Sequence, residues 1–136
     1  MQTQKELAEK ATIGETTVSR RIAQLKSAGV IRAFRAVLDP AHPDIGFGVT
    51  AILRVKLTDM SVKAVLEEKI VEISQVLAVY SVFSPDTDYI ALVRAKSNSD
   101  LETLSEKIRT LDGAVSVGSM IAARILKETT VLELDT

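Results

Sequence analysis

Apolar positions along this chain recur first at helical spacing and then at strand spacing. Leu7, Ala8 and Ala11 share one face of a short predicted helix, and Thr12-Ile13-Gly14 breaks it, with Gly14 at the N-cap or turn position of the next. From Glu15 onward Val18, Ile22 and Leu25 recur at helical spacing, and Gly29 supplies a helix stop. The pattern is helix, tight turn, helix. The stretch IRAFRAVL (31–38) then alternates like a strand, and Asp39-Pro40 with Pro43 marks a connector.

Beyond Pro43 strands alternate with helices. In FGVTAILRVKL (47–57), Phe47, Val49, Ala51, Leu53, Val55 and Leu57 fall on one face, and Gly48, Thr50, Arg54 and Lys56 on the other. Residues 61–73 read as a helix with Val62, Leu66, Ile70 and Ile73 inward. Strands follow at 76–83 and 89–95, separated by the turn SPDTD (84–88). A second helix is capped at Asn98 or Ser99, carries Leu101, Leu104, Ile108 and Leu111 on its apolar stripe, and ends before Gly113. A long strand at 114–126 and a short one at 130–134 close the chain.

The order is β-α-β-β-α-β, the ferredoxin-like arrangement of one antiparallel sheet with two helices on one face. Thr50, Tyr80, Met120 and Ala122 fall on the opposite face. They are small or amphipathic, which points to a second subunit covering that face.

Composition narrows the chemistry. The 136 residues include no cysteine, so disulfides, thiolate metal sites and cysteine nucleophiles are excluded. The single histidine, His42, lies in the proline-rich connector with no second histidine to build a metal site, and neither a metal nor a cofactor is expected. Apolar runs are short and broken by charge, and MQTQKELAEK lacks an apolar signal core, so a soluble cytoplasmic protein without a membrane partner is expected. The formal net charge of −1 hides an asymmetry. Residues 1–37 hold seven basic and three acidic side chains, a surplus of four, and the remainder holds ten basic and fifteen acidic, a deficit of five. A basic head on an acidic body fits a DNA reader with a separate regulatory domain, although so short a segment also admits a chance fluctuation.

The stretch IGETTVSRRIAQLKSAGVI (13–31) resembles the recognition-helix signature of the Lrp/AsnC (leucine-responsive, or feast/famine) transcription regulators. Thr17, Val18, Arg21, Ile22, Leu25, Gly29, Val30 and Ile31 all fall in register. The resemblance continues through AFRAVLDP (33–40) and the β-α-β-β-α-β segment. It implies an α+β fold. A winged helix-turn-helix remnant (1–37) with a linker strand joins a ferredoxin-like effector-binding and oligomerisation domain (44–136). Members of the family begin with a further helix before the segment that starts here at Gln2, so an incomplete DNA-binding head is expected, with the true start upstream of Met1.

A recognition helix enters the major groove by its N-terminal residues. Glu15, Thr16, Ser19 and Arg20 are the candidates for base edges, and Thr17 falls in the signature itself. Arg21 matches the family arginine and reads as a phosphate clamp, with Arg32 and Arg35 adding backbone contacts. The alternative is a solvated amphipathic helix whose arginines face water. In SPDTDY (84–89), Asp86, Asp88 and Tyr89 match the family loop, but Pro85 stands where glycine is usual. Proline lacks an N–H and cannot take positive φ. In the family this loop and the last long strand, here Ser119, Met120 and Ile121, line a small amino-acid effector site, and a carboxylate such as Asp86 or Asp88 suits an α-ammonium group. The same aspartates also fit an ordinary hairpin turn that caps backbone N–H groups.

The resemblance implies a non-enzymatic regulator that binds double-stranded DNA as a homodimer, tetramer or octamer and is tuned by a small amino acid. Two alternatives stand beside it. One is a ligand-binding or oligomerisation protein that no longer binds DNA. The other is a tetrapyrrole decarboxylase-like enzyme, a branch similar in architecture.

Overall fold

A computed structural model of the chain describes residues 15–111 and 115–134. The predicted first helix with Leu7, Ala8 and Ala11, the turn at Gly14, and Gly113 lie outside the described residues. The chain divides into two units, Met1–Leu38 and Asp39–Thr136.

In the first unit, α1 spans Glu15–Ser27. Val18 and Ile22 are half-buried, as their spacing predicts, whereas Leu25 sits at the margin of exposure. The helix stops because Gly29 adopts φ +77°, and the N–H groups of Gly29 and Val30 turn back to the carbonyls of Lys26 and Leu25 at 3.1 and 2.9 Å. That paired closure satisfies carbonyls the helix itself leaves open, and it requires a left-handed residue. The predicted linker strand at 31–38 is not formed. Residues 31–39 carry no strand pairing, and Phe34, Val37 and Leu38 are exposed. Alternation supplies strand propensity, but a strand exists only with a partner backbone.

In the second unit the connector closes on itself, with His42 N–H on the Asp39 carbonyl and Phe47 N–H on the Pro40 carbonyl. The elements that follow are β1 (Val49–Leu57), a 3-10 turn (Met60–Val62), α2 (Lys63–Ile70), β2 (Val76–Ser81), β3 (Tyr89–Ala95), α3 (Asn98–Arg109) and β4 (Val115–Ile121). The sheet order is β2-β3-β1-β4 with every neighbouring pair antiparallel, the ferredoxin-like topology. Ala51, Leu53, Val55 and Leu57 of β1 are buried with Leu66 and Ile70 of α2 and Leu101, Leu104 and Ile108 of α3. Period two and period 3.6 therefore converge on one core.

Element boundaries differ from expectation in several places: β1 starts at Val49 and β2 stops at Ser81, each two residues short of the predicted strand, and α2 stops at Ile70. The helix predicted at 61–73 opens as a 3-10 turn capped by Asp59, whose carboxylate accepts from Ser61 N–H at 2.9 Å. The α3 cap is Ser97, one residue before the expected pair, with its hydroxyl accepting from Asp100 N–H at 3.1 Å. The last strand ends at Ile121 instead of 126, and 130–134 forms no strand. Ala122 N–H still reaches the Thr50 carbonyl at 2.8 Å, but β1 begins at Val49, so the partner runs out.

The sheet face away from the helices is apolar at its centre. Ile52 pairs with Leu92 on one side and Met120 on the other, and Tyr80 pairs with Ile90. Ile52, Met120 and Tyr80 are 38%, 46% and 61% exposed. At one end of this face Arg94 is buried, with its guanidinium held by the Thr50 hydroxyl and the Glu128 carboxylate.

Candidate nucleic-acid interface and effector cleft

The first turns of α1 place Thr16, Ser19 and Arg20 on one side at spacings of three and four. Thr16, Thr17, Arg20 and Arg21 are exposed, and Ser19 is half-buried. Glu15 begins the helix, and its side chain lies outside the described residues. Past the Gly29 stop, Arg32 and Arg35 are exposed as well. Among the described residues none of these four arginines forms an ion pair. Lys26, in the last turn, instead lies over the Phe34 ring at 5.8 Å. Hydroxyls that donate or accept, beside exposed guanidiniums, can engage base edges and phosphates together.

The 84–88 turn is pinned to the end of β1. Asp88 Oδ2 accepts from Leu57 N–H at 2.7 Å, and Asp88 N–H donates to the Val55 carbonyl at 2.9 Å. Lys56 Nζ donates to the Pro85 carbonyl at 3.1 Å and approaches Asp88 at 3.9 Å. Asp88 is therefore a structural cap. Asp86 is exposed and lines a small cleft of about 170 Å³ with Arg54, Lys56, Thr87, Ser116 and Gly118.

The other predicted effector residues do not join Asp86 within one chain. Tyr89 faces the core at 3% exposure. Among the described residues its hydroxyl makes no hydrogen bond of ordinary geometry, and burial, with the nearby Glu67 carboxylate next, pushes the phenol up to about 12. Ser119 and Ile121 line a different groove, about 480 Å³, between β4 and α3, together with Leu101 and Ser105. Met120 points to the open sheet face opposite Ile52. Three consecutive strand residues cannot line one site on one chain, because successive side chains point to opposite faces. Sequence reasoning missed Arg54, Ser116 and Gly118. The register pairs Arg54 with Gly118 and Lys56 with Ser116, and only strand pairing reveals that. The one histidine, His42, is exposed in the connector turn, where its ring accepts from Asp44 N–H at 3.1 Å.

Comparison with known proteins fits this layout. The Lrp/AsnC ligand binding domain family matches residues 50–132, and a winged helix-turn-helix DNA-binding family matches residues 2–32. The HTH-type transcriptional regulator FL11 of Pyrococcus furiosus is 27% identical over 128 residues, covering 94% of this chain and 82% of that protein. The HTH-type transcriptional regulator LrpA of Mycobacterium tuberculosis is 31% identical over 105 residues, 77% of this chain and 68% of that one. Among solved structures, the feast or famine regulatory protein from M. tuberculosis complexed with L-methionine superposes with a TM-score of 0.79 at 28% identity, covering 96% of this chain and 86% of that chain. With a helix-turn-helix match over the basic segment and a ligand-binding-domain match over the sheet, the chain belongs to the Lrp/AsnC family of DNA-binding transcription regulators.

Proposed function

We propose that the chain reads double-stranded DNA through α1 as a homodimer, or an assembly of dimers, and that a small amino acid tunes this binding. The observation that carries the reading is the set of exposed arginines on and just after α1, which form no ion pair among the described residues, beside the exposed hydroxyls of Thr16 and Thr17, within a segment of basic surplus. Thr16, Ser19 and Arg20, with Glu15 at the helix start, read base edges, Thr17 supports them, and Arg21 and Arg32 hold phosphates. The apolar centre of the open sheet face (Ile52, Leu92, Met120) supports a second copy docking there. Two copies present two recognition helices to successive half-sites. The solved relative with L-methionine supports an amino acid as effector, and the exposed Asp86 carboxylate is the partner we assign to its ammonium group. A cytoplasmic location fits these roles, and among the described residues no helix is long and apolar enough to cross a membrane.

The test is site selection from random duplexes followed by gel shift. Arg20→Ala is expected to relax preference at one base pair per half-site, by about 1–3 kcal/mol. Binding to selected and random duplexes with equal affinity would overturn sequence-specific reading.

A further inference from the structure

The last apolar segment of the chain finds no place on its own fold. After β4, the Glu128 carboxylate holds the Arg94 guanidinium, which is buried against the Thr50 hydroxyl at one end of the open sheet face. Past that anchor the one hydrogen bond among the described residues is local, from Val131 N–H to the Thr129 hydroxyl at 3.0 Å. Val131, Leu132 and Leu134 are exposed, and so is Glu133. Successive side chains of an extended segment point to opposite sides, so both sides of this one carry apolar groups. The other end of the open face, beyond Ile52 along β1, presents Arg54 and Lys56. Lys56 is held by the Pro85 carbonyl and Asp88, whereas the exposed Arg54 forms no ion pair among the described residues.

We infer that the segment 129–134 crosses to the second copy and that Glu133 pairs there with the partner's Arg54, an exchange made twice across the dimer. The inference rests on the dimer reading above, in which the open face around Ile52 and Met120 meets the same face of another copy. A two-fold axis between two stacked sheets either brings like ends of the face together or exchanges them. Like ends together would set the two Arg54 side chains at the same end of the interface, a like-charge contact that opposes association. Exchanged ends remove that contact. Thr50 and Arg54 each lie two residues from Ile52 on β1, so a crossing centred on Ile52 stacks the Thr50–Arg94–Glu128 end of one copy over the partner's Arg54. Stacked sheets lie about 10 Å apart, and the chain from Glu128 to Glu133 extends to roughly 16 Å, so Glu133 spans the gap. Enclosed between two copies, the segment buries Val131 on the side of Glu133 and Leu132 with Leu134 on the other. That accounts for apolar groups on both sides of a segment its own chain leaves bare. Arg94 and Glu128 are positioning residues here, because the segment cannot leave its anchor without stranding a buried guanidinium.

The test is charge exchange in the full chain, read as the dimer dissociation constant from sedimentation over a dilution series. Glu133→Arg and Arg54→Glu each set like charges face to face, and each alone should raise that constant at least roughly tenfold. Mixing the two single variants should restore association to near the wild-type level. In their heterodimer one contact has both charges reversed and the other is native, so both attract. A contact made within one chain cannot be repaired by mixing, and neither can a variant that fails to fold. An unchanged constant in either single variant, or weakening in both that mixing does not restore, overturns the exchange while the sheet-face dimer stands. A wild-type chain that stays monomeric at every concentration overturns both.

Discussion

Asp88 matches the family loop and looks like a ligand-binding carboxylate, yet the structure uses it as a backbone cap, and the two roles separate under substitution. Leu57 N–H donates to Asp88 Oδ2 at 2.7 Å, and Leu57 itself is only 6% exposed. Asp88→Ala leaves that N–H buried without an acceptor, which costs about 1–3 kcal/mol. The Lys56 pair adds little, about 0–1 kcal/mol, because at 3.9 Å it is loose and its lysine is 44% exposed. Asp88→Asn keeps an oxygen for Leu57 N–H and loses only the charge, so it should cost about 1 kcal/mol or less. In a domain of this size each kcal/mol shifts the melting temperature by about 4–8 °C. Calorimetric melts should therefore fall by about 10 °C for Asp88→Ala and by a few degrees for Asp88→Asn. Equal losses in the two variants would mean that charge, not the acceptor, is what matters. No loss in either would refute the cap.

Tyr89→Phe removes a buried hydroxyl that makes no ordinary hydrogen bond, so stability at neutral pH should hold or rise slightly, by up to about 1 kcal/mol. Because Tyr89 is pushed up to about 12 from its ordinary 10, the unfolded chain loses that proton first, and stability should fall as pH rises between those values. Urea melts of Tyr89→Phe at alkaline pH should lack that part of the slope, and an unchanged slope would contradict it. Ile52→Asp places a charge at the centre of the open sheet face and should halve the mass read by light scattering; a mass that stays dimeric would place the interface elsewhere. Ser97→Ala removes the acceptor for Asp100 N–H and should cost about 1 kcal/mol in a urea melt, with a null result pointing to Asp100 as the effective cap.

The order of elements was legible because each buries one face in a single core. Val62, Leu66, Ile70 and Ile73 point inward as their spacing predicts, and so do Leu101, Leu104 and Ile108. What could not be read depends on partners distant in sequence. In SNSD (97–100) every residue is a capping type, and where β3 ends decides that Ser97 takes the position. Arg94 looks like an outward charge within YIALVRA, yet Thr50 and the distant Glu128 make it a buried one. The candidate cleft is the same kind of case. Arg54 and Gly118 lie far apart in the chain, and only the β1–β4 register sets them side by side.

The slight net negative charge is the wrong quantity for judging DNA binding. Screening limits each exposed charge to a reach of about 8–10 Å at physiological salt, so affinity follows the cations that touch phosphates, not the sum over the chain. Each such contact releases counterions and adds about 0.9 to the slope of log affinity against log salt. A net-charge rule and a contact rule make opposite claims for two variants that each alter the charge by one. Under a net-charge rule, Glu68→Gln, at an exposed site on α2, should tighten binding as much as Arg21→Ala weakens it. Under the contact rule, Arg21→Ala lowers affinity evenly across sequences and reduces the slope by about one per chain, while Glu68→Gln leaves the slope unchanged. Gel shifts at several salt concentrations measure both, and a matched pair of opposite effects would refute the contact rule and, with it, the phosphate role of Arg21.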